Sequence, residues 1–334
     1  MSRRARPVLA IGAVGLALSL AACGSGSGGG SQSGGKVKVG LITKTDTNPY
    51  FVKMKEGAEQ AAKSSDVELS TAAGKFDGDN ASQVTALENM VASGVKGVLI
   101  TPNDSKAIVP AIQKARAKGV LVIALDTPPE PQSAVDALFA TDNVKAGELI
   151  GAYAKAAMGG KPVKIATLDL APGVSVGVQR HEGFIKGFGV SASDPSIVCS
   201  QDTGGDQAKG QTAMENCLQK APDINLVYAI NEPAALGAYT AIKAKGRDKD
   251  VMIVAIDGGC TGVQAVKDGK IAATSQQYPL KMAADGVKAV AAYAKDGGKK
   301  ASGYTDTGVQ LITDEAQTGT ESEDTGFGLK NCWG

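Results

Sequence analysis

The chain has 334 residues, which is more than one ordinary hydrophobic core accommodates, so two domains are expected. Its 35 Lys and Arg residues nearly balance its 34 Asp and Glu residues. This balance excludes the broad positive field of a nucleic-acid-binding protein, and we expect no nucleic acid among its partners.

The first 22 residues have the pattern of a secretion signal. Three arginines precede an apolar run over residues 8–20, which is too short to span a bilayer. The string Leu20-Ala21-Ala22-Cys23 then resembles a bacterial lipobox, which implies that Cys23 is acylated and becomes the mature N-terminus. An ordinary cleaved signal peptide is the alternative.

A flexible tether is predicted over residues 23–35. After Cys23 this segment contains only Gly, Ser and one Gln, and such a composition cannot bury apolar surface. We therefore expect an extracytoplasmic protein whose folded body, from residue 36 onward, is held by a lipid on the outer face of the cell membrane or in the periplasm.

Short β-branched runs alternate with segments of helical periodicity through the rest of the chain. The predicted strands are Val37–Ile42, Val67–Thr71, Gly97–Ile100, Leu121–Leu125, Lys164–Leu168, Ile197–Ser200, Leu226–Ile230, Met252–Ile256 and Ile271–Ser275. The predicted helices include Asn48–Lys63, Ala81–Ser93, Ser105–Lys118, Asp206–Lys220 and Ala234–Lys245.

This alternation predicts an α/β fold with parallel sheets, because only a helical crossover returns the chain to the same sheet edge. Strands such as VLVIAL are apolar on both faces, as expected when helices cover both sides. The series begins anew after Thr141-Asp142-Asn143, which indicates two doubly wound domains. A single (β/α)₈ barrel is the competing architecture.

Four cysteines follow Cys23, and outside the cytoplasm an even number favours disulfides. Three pairings are possible. We expect Cys199 to pair with Cys217, because a strand end packs against the helix that follows it, and this leaves Cys260 with Cys332. Buried free thiols are the alternative, and the spacings match no metal site.

Side chains that can bond a hydroxyl follow nearly every predicted strand. Because the carboxyl ends of parallel strands meet at one edge, we expect these residues to line a cleft between the two domains. They are Asn48, Thr101, Asn103, Asp104, Asp126, Asp206, Asn231, Asp257 and Gln277. Helix capping is the alternative role for any single Asp or Asn, but capping explains neither Gln277 nor Arg180.

This set of residue types indicates a sugar site. A hydroxyl both donates and accepts, and planar carboxylate, amide and guanidinium groups can hold two neighbouring hydroxyls at once. Tyr50 and Phe51 follow Asn48-Pro49 and offer an aromatic plate for the apolar face of a sugar ring.

Catalysis has little support in the sequence. The one histidine, His181, fits a solvated helix position, and Cys260 has no neighbouring base. Neither GxxxxGK[ST] nor a strand-linked GxGxxG occurs, so we expect no enzyme activity, no cofactor and no metal. A sugar-responsive repressor would carry a basic helix-turn-helix where this chain carries a signal and tether.

The segments GLITKTDTNPYFVKMKEGA, ITPNDSKAIVPAI, VLVIALD, VQRHEGF, AINEPAALGAYTAI and VAIDGG, in this order, resemble the ribose-binding-like family of ABC-transporter solute receptors over residues 36 to 312. The resemblance implies the type I periplasmic-binding-protein fold, with two sugar-binding lobes joined by three crossing strands. The N-terminal lobe would comprise residues 36–141 with 279–306, and the C-terminal lobe 142–278 with 307–334.

The resemblance also implies how the ligand is held. Asn48, Tyr50, Phe51 and Asp126 would bind the sugar from the first lobe. The second lobe and hinge would contribute Arg180, Asn231, Asp257 and Gln277, with Asp257 and Arg180 as the strongest anchors.

Two positions depart from the ribose-type pattern, since Thr127 replaces an arginine and Gly205 an aromatic residue. KTDTNPYFVKMKEGA and GDQAKGQTAMENCL are most similar to fructose-binding members. We therefore expect a monomeric, lipid-anchored receptor that delivers fructose, or else ribose, xylose or another hexose, to a membrane permease. A chemosensory sugar receptor is the alternative, because it would use the same cleft.

Overall fold

Two open six-stranded sheets organise the chain in the computed structural model, which describes residues 35–296 and 298–334. The predicted signal, Cys23 and the tether as far as residue 34 lie outside the described residues. Among the helices that are described, none is long and apolar enough to cross a membrane.

The first sheet is entirely parallel, in the order β11-β5-β4-β3-β1-β2. Its central strands are apolar and buried on both faces, which requires helices on both sides. The six strands are β1 (Val37–Thr43), β2 (Val67–Ala73), β3 (Gly97–Ile100), β4 (Leu121–Leu125), β5 (Ala137–Ala140) and β11 (Gly303–Asp306).

Four helices cover this sheet. One face packs its apolar side chains against the first and last of them, and the opposite face packs against the other two. They are α1 (Pro49–Ser64), α2 (Asn80–Ala92), α3 (Val109–Ala117) and α9 (Pro279–Asp296), with one 3₁₀ turn at Gln132–Ala134.

The second sheet has the order β12-β10-β9-β8-β6-β7 and is parallel except for β12. Its strands are β6 (Ile165–Asp169), β7 (Ile197–Asp202), β8 (Leu226–Ala229), β9 (Met252–Asp257), β10 (Ala273–Gln276) and β12 (Gln310–Ile312). The helices of this lobe are α4 (Asn143–Met158), α5 (Ser175–Phe188), α6 (Gln207–Lys220), α7 (Glu232–Ala244), α8 (Cys260–Lys267) and α10 (Thr325–Asn331).

Glycines let α4 and α5 approach closely. A Cβ atom at Gly147 would lie 2.1 Å from the carbonyl oxygen of Arg180, and one at Gly183 would lie 2.1 Å from that of Val144. Only glycine fits at these two positions without moving a backbone. The close packing fixes the first half of α5, which carries Arg180, against the start of α4.

The chain crosses between the sheets three times, after β5, after β10 and between β11 and β12. The prediction of two doubly wound α/β lobes is confirmed, and the (β/α)₈ alternative is wrong because the strands form two open sheets. The residue bounds that we gave for each lobe stay predictions.

The sequence pattern did not predict three of the strands, and it predicted the start of one helix several residues too early. β5, β11 and β12 have only three or four residues, and they lack the β-branched apolar run that identifies the equally short β3. The predicted helix at 105–118 starts instead at Val109, next to Pro110, because the preceding residues form a turn.

Both expected disulfides are present in the structure. Cys199 of β7 pairs with Cys217 of α6, and Cys260 at the start of α8 pairs with Cys332 just after α10. The free-thiol alternative is therefore wrong. The second disulfide ties the C-terminal end of the chain to the second lobe.

Removing the buried Cys199–Cys217 disulfide should lower stability. With both cysteines changed to Ala, we expect the free energy of unfolding to fall by about 2–4 kcal/mol, because the unfolded chain loses a constraint and the core loses sulfur contacts. Urea unfolding of the oxidised proteins measures this difference. Equal midpoints for wild type and variant would contradict the expected role.

Candidate ligand site

Three buried charges meet where the two lobes face each other. Nη2 of Arg180 lies 3.4 Å from Oδ1 of Asp126, and Nη1 lies 3.7 Å from Oδ1 of Asp257. Asp126 follows β4 of the first sheet, Asp257 ends β9 of the second, and Arg180 comes from α5. Each side chain is 5% exposed or less. The convergence expected from the strand ends is therefore present.

The Arg180 guanidinium is held in place by the second lobe. Its Nε donates a 2.8 Å hydrogen bond to Oδ1 of Asn143, and Nη1 donates a 3.1 Å bond to the carbonyl oxygen of Ile230. Asn143 begins α4 directly after the first crossing and was not predicted as a site residue. Its place in Thr141-Asp142-Asn143, where the series of elements restarts, was the available signal.

Tyr50 connects the first lobe to this cluster. Its hydroxyl lies 3.2 Å from Oδ1 of Asp126 and 3.3 Å from Oε1 of Gln277, while Nε2 of Gln277 donates a 2.8 Å bond to Oδ1 of Asp257. Burial, reinforced by the negative charge of Asp126, raises the pKa of Tyr50 well above its ordinary value. Tyr50 therefore remains a protonated phenol that can donate a hydrogen bond.

Burial also raises the pKa values of two carboxyl groups of the second lobe. It raises the pKa of Asp257, although the positive charge of Arg180 acts in the opposite direction. Glu232, also buried, has a raised pKa because of burial and the nearby charge of Asp257. Its oxygens accept hydrogen bonds from the backbone N–H groups of Gly258 and Gly259, so Glu232 fixes the turn that carries Asp257.

The backbone is strained at both central carboxylates. Asp126 has φ 60° and Asp257 has φ 148°, values that cost a non-glycine residue about 1–3 kcal/mol. The neighbouring groups hold them there, since the Thr127 hydroxyl donates to Asp126 Oδ2 at 2.8 Å and Trp333 Nε1 donates to the Asp257 carbonyl oxygen at 3.2 Å. Strain of this kind is typical of functional sites.

A small pocket of about 30 Å³ opens beside the three charges, and we call it the central pocket. It has walls from both lobes, as a closing cleft would. The residues around it are Lys44, Asn48, Tyr50, Phe51, Asp77, Asp126, Leu170, Val176, Arg180, Ile230, Asn231 and Asp257.

Lys44 and Asp77 line the central pocket but were not predicted. Lys44 directly follows β1 and is 1% exposed, and this burial lowers the pKa of its ammonium group. Burial raises the pKa of Asp77, and within the part of the chain that the structure describes its Oδ1 has no hydrogen-bond partner. The rule that selected acidic and amide residues directly after a strand would have selected Lys44 if it had included basic residues.

Most of the predicted ligand residues surround the central pocket. Asn48 and Asn231 also cap helices, since their Oδ1 atoms accept from the backbone N–H groups of Tyr50 and Ala234. Gln277 reaches the charged cluster through Asp257. The predicted residues that line the pocket are Asn48, Tyr50, Phe51, Asp126, Arg180, Asn231 and Asp257.

Four other predicted residues lie outside the central pocket. The hydroxyl of Thr101 is buried against the sulfur of Met54, and Asn103 bonds the backbone at Lys44 and Gly78. Asp104 accepts the backbone N–H groups of 106 and 107, and Asp206 is the exposed N-cap of α6. Asp104 and Asp206 thus bond backbone groups close to them in sequence, and Asp206 has the helix-capping role that is the alternative for a single Asp or Asn. Asn103 instead joins backbone segments that are distant in sequence.

Trp333, near the C-terminus, is a further unpredicted part of the site. Its Nε1 donates to the carbonyl oxygens of Gln277 at 2.9 Å and Asp257 at 3.2 Å. Its ring meets that of Tyr50 edge to face at 5.3 Å between centroids. Trp333 thus contacts Tyr50, Asp257 and Gln277 together, and the disulfide of the preceding Cys332 with Cys260 fixes this part of the chain to the start of α8.

His181 points away from the charged cluster. Its Nδ1 lies 2.8 Å from Oδ1 of Asp169, and its ring packs edge to face on Tyr228. The expectation of a solvated helical histidine is therefore wrong in detail, because the ring is half-buried and paired. Within the described ranges, 35–296 and 298–334, no cluster of three or more His, Cys, Asp or Glu side chains could hold a metal ion.

Comparison with known proteins identifies relatives along most of the chain. Residues 39–300 match the model described as periplasmic binding protein domain. The ribose import binding protein of Bacillus subtilis (strain 168) is 37% identical over 249 residues, which are 74% of this chain and 79% of that protein.

Solved structures similar to this chain include solute-binding proteins with a bound sugar. A solute-binding protein from Actinobacillus succinogenes 130z with bound D-allose has a TM-score of 0.72 at 31% identity, covering 82% of this chain and 97% of its own. A carbohydrate transporter solute-binding protein from Agrobacterium radiobacter in complex with D-arabinose has a TM-score of 0.76 at 28% identity, covering 84% and 95%.

The ion pair of His181 with Asp169 should make stability depend on pH. The hydrogen bond to Asp169 raises the folded-state pKa of His181 above 6.5. The stabilisation is therefore complete below the unfolded pKa of about 6.5 and is lost as pH rises through the folded pKa. The melting temperature of wild type should exceed that of His181→Gln at about pH 5.5 and approach it by about pH 9. A difference independent of pH would contradict this.

Truncating Trp333 should destabilise the protein. We expect Trp333→Ala to lower the free energy of unfolding by about 3–5 kcal/mol, because a buried ring and two hydrogen bonds are lost. Trp333→Phe should cost less, about 1–2 kcal/mol, since part of the ring contact with Tyr50 remains. Tyr304→Ala, at a 47% exposed aromatic, is the control. Urea unfolding measures all three, and a Trp333→Ala protein as stable as the control would refute the supporting role.

Proposed function

Because this chain belongs to the periplasmic binding protein family, we propose that it is the sugar-binding component of an ABC importer, holding a monosaccharide between its lobes without altering it. The observation that carries the proposal is the cluster in which Arg180 lies between Asp126 and Asp257 at the meeting point of the lobes. Its acceptors and donors are the groups that a ring bearing several hydroxyls requires.

The charged and aromatic side chains of the central pocket have different roles in this proposal. Neighbouring sugar hydroxyl oxygens lie about 2.8 Å apart, so Asp126 and Asp257 can each accept from two hydroxyls. Arg180 and Lys44 donate to hydroxyl or ring oxygens, and Phe51 and Tyr50 offer apolar surface to the ring carbons.

Binding would occur in two steps. Asn48, Tyr50, Phe51 and Asp126 capture the sugar on the first lobe, and closure then brings Arg180, Asn231 and Asp257 onto the remaining hydroxyls. A contact between the lobes supports such a closed form, since the hydroxyls of Ser105 and Ser175 lie 2.9 Å apart. The permease would recognise the closed form, so it would distinguish the sugar-bound protein from the free protein by the relative position of the lobes.

Fructose is the monosaccharide that we favour, with ribose, xylose or another hexose as alternatives. Support comes from the fructose-type segments KTDTNPYFVKMKEGA and GDQAKGQTAMENCL and from Thr127 and Gly205, which depart from the ribose-type pattern. The B. subtilis relative bears a ribose name and the compared structures hold D-allose and D-arabinose, so these sugars belong in any test.

The ligand should raise the melting temperature of the body from residue 36 onward, because it binds only the folded state. Differential scanning fluorimetry with fructose, ribose, xylose, allose, arabinose, galactose, mannose and inositol identifies it. Calorimetry with that sugar then tests the cluster. Arg180→Ala and Asp257→Asn should each weaken binding by about 2–4 kcal/mol, roughly 30- to 1,000-fold, because buried polar partners lose their bonds.

Arg116→Ala is the matched control, since Arg116 pairs with Asp136 on the first lobe and lines no part of the pocket. It should bind sugar as wild type does. Unchanged affinity in both site variants would remove Arg180 and Asp257 from the binding site, and no thermal shift with any sugar would refute the proposed function.

We further infer that acylation of Cys23 anchors the protein and that the Gly/Ser tether lets the body reach its permease. In a bacterial host that processes lipoproteins, the wild-type protein should sediment with membranes. The Cys23→Ala variant should appear either as cleaved protein in the soluble extracytoplasmic fraction or as uncleaved precursor in membranes. Membrane-bound mature protein in the variant would contradict lipid anchoring.

A further inference from the structure

A second and larger cavity adjoins the central pocket, and we call it the outer chamber. Its volume is about 510 Å³, and it shares Asn48, Asp77 and Asp257 with the central pocket. Both lobes line it, the first through the segments at 45–49 and 75–77 and the second through the starts of α6, α7 and α8. The two spaces therefore adjoin each other, and the outer chamber alone exceeds the cavity of about 150 Å³ that holds one six-membered ring such as benzene.

Gly204 and Gly205 keep the boundary between the two spaces free of side chains. A Cβ atom at Gly205 would lie 2.8 Å from Nδ2 of Asn231 and 3.4 Å from Cδ2 of Leu170, which are both residues of the central pocket. Any side chain at 205 would therefore intrude where the two spaces meet. Both glycines also have positive φ, 53° and 65°, which suits glycine in this turn.

The outer chamber presents an aromatic plate to solvent. Phe76 is 58% exposed, more than the other large hydrophobic side chains found exposed in residues 35–296 and 298–334. It lines the chamber together with Leu236 and Trp333. An exposed phenylalanine in a concave site with polar neighbours is suited to stack on the apolar face of a sugar ring.

Two features indicate that the occupant is polar and carries no anionic group. Asp77 Oδ1 is buried, lacks a hydrogen-bond partner among the described residues, and belongs to a side chain that borders both spaces, so it can accept from a ligand hydroxyl. The chamber lining also carries more acidic than basic side chains, with Asp77, Asp206, Glu232 and Asp257 against Lys75 and Lys209. A phosphate or carboxylate would find no net positive field there.

We propose that the outer chamber is a second sugar subsite, so that the full ligand is a disaccharide or glycoside without anionic groups. Its first ring is held by Asp126, Arg180 and Asp257, and its second ring stacks on Phe76 and bonds Asp77. This inference rests on the proposed sugar-binding function and changes one part of it, because the monosaccharide would be only the first ring of a larger ligand.

Calorimetry with three monosaccharides and the three disaccharides made from them tests the proposal. The probes are fructose, glucose, galactose, sucrose, lactulose and lactose. We expect at least one disaccharide to bind at least tenfold more tightly than either of its component sugars. If monosaccharides bind and every disaccharide binds more weakly than its components, the second subsite is refuted while the proposed function stands. If none of the six binds, the second subsite is likewise refuted, and the proposed function is judged by the separate monosaccharide panel.

Two variants locate the second ring. Gly204→Asn adds a side chain at the chamber wall, where asparagine tolerates the positive φ and its Cβ would lie 3.4 Å from Lys209 Nζ. It should weaken the preferred disaccharide at least tenfold and leave the monosaccharide within twofold. Phe76→Ala should weaken the disaccharide about three- to tenfold through lost stacking.

Val178→Ala is the control, at a 51% exposed position that does not line the chamber. Equal losses for monosaccharide and disaccharide in Gly204→Asn and Phe76→Ala would show that these residues act on the protein as a whole, which would overturn the assignment of a second subsite.

Discussion

Three charged side chains are buried between the two lobes, and the surrounding structure holds them in place. Asp126, Arg180 and Asp257 are each 5% exposed or less, and removing such groups from water costs several kcal/mol per ion before any interaction is counted. Attraction between them offsets part of this cost. Their separations of 3.4 and 3.7 Å leave hydrogen-bonding capacity that a polyol can use. A buried cluster of this kind is therefore a poor device for stability alone and a suitable one for binding hydroxyl groups.

The fold supplies this cluster by placing strand ends against each other. Parallel sheets direct the carboxyl ends of all their strands to one edge, and two such edges face each other here. The strained backbone at Asp126 and Asp257 is held by neighbours whose own positions are fixed, among them Glu232 and Trp333. Arg180 is fixed by the glycine-mediated contact of α4 with α5. Rigidity of these groups before binding reduces the entropy that the ligand must overcome.

Much of the fold could be predicted because it depends on local patterns. Amphipathic helices such as α1 carry enough residues to show their period, and strands such as β4 are recognised as unbroken apolar runs. The short strands β5 and β12 have neither signal, and tertiary pairing rather than local preference makes them strands. Both disulfides could be predicted because one pair joined a strand to its following helix and only one pairing then remained.

The site could be predicted in part, because a polar residue directly after a parallel strand lies at the sheet edge where the carboxyl ends of the strands meet. Asp126 and Asp257 were found in this way, but the same rule also selected Asn103 and Asp104, whose side chains bond backbone groups and do not line the central pocket. Trp333 was missed, although the predicted pairing of its neighbour Cys332 with Cys260 already indicated that this part of the chain returns to the segment after Asp257. Asp77 was also missed, because it follows β2 by several residues and reaches the pocket through a loop.

A crystal structure of the protein with the sugar that stabilises it most would test the central claim directly. The account predicts one sugar ring with hydroxyl groups within hydrogen-bond distance of Asp126, Arg180 and Asp257 at the same time. A sugar bound to one lobe only, or away from these three side chains, would contradict it.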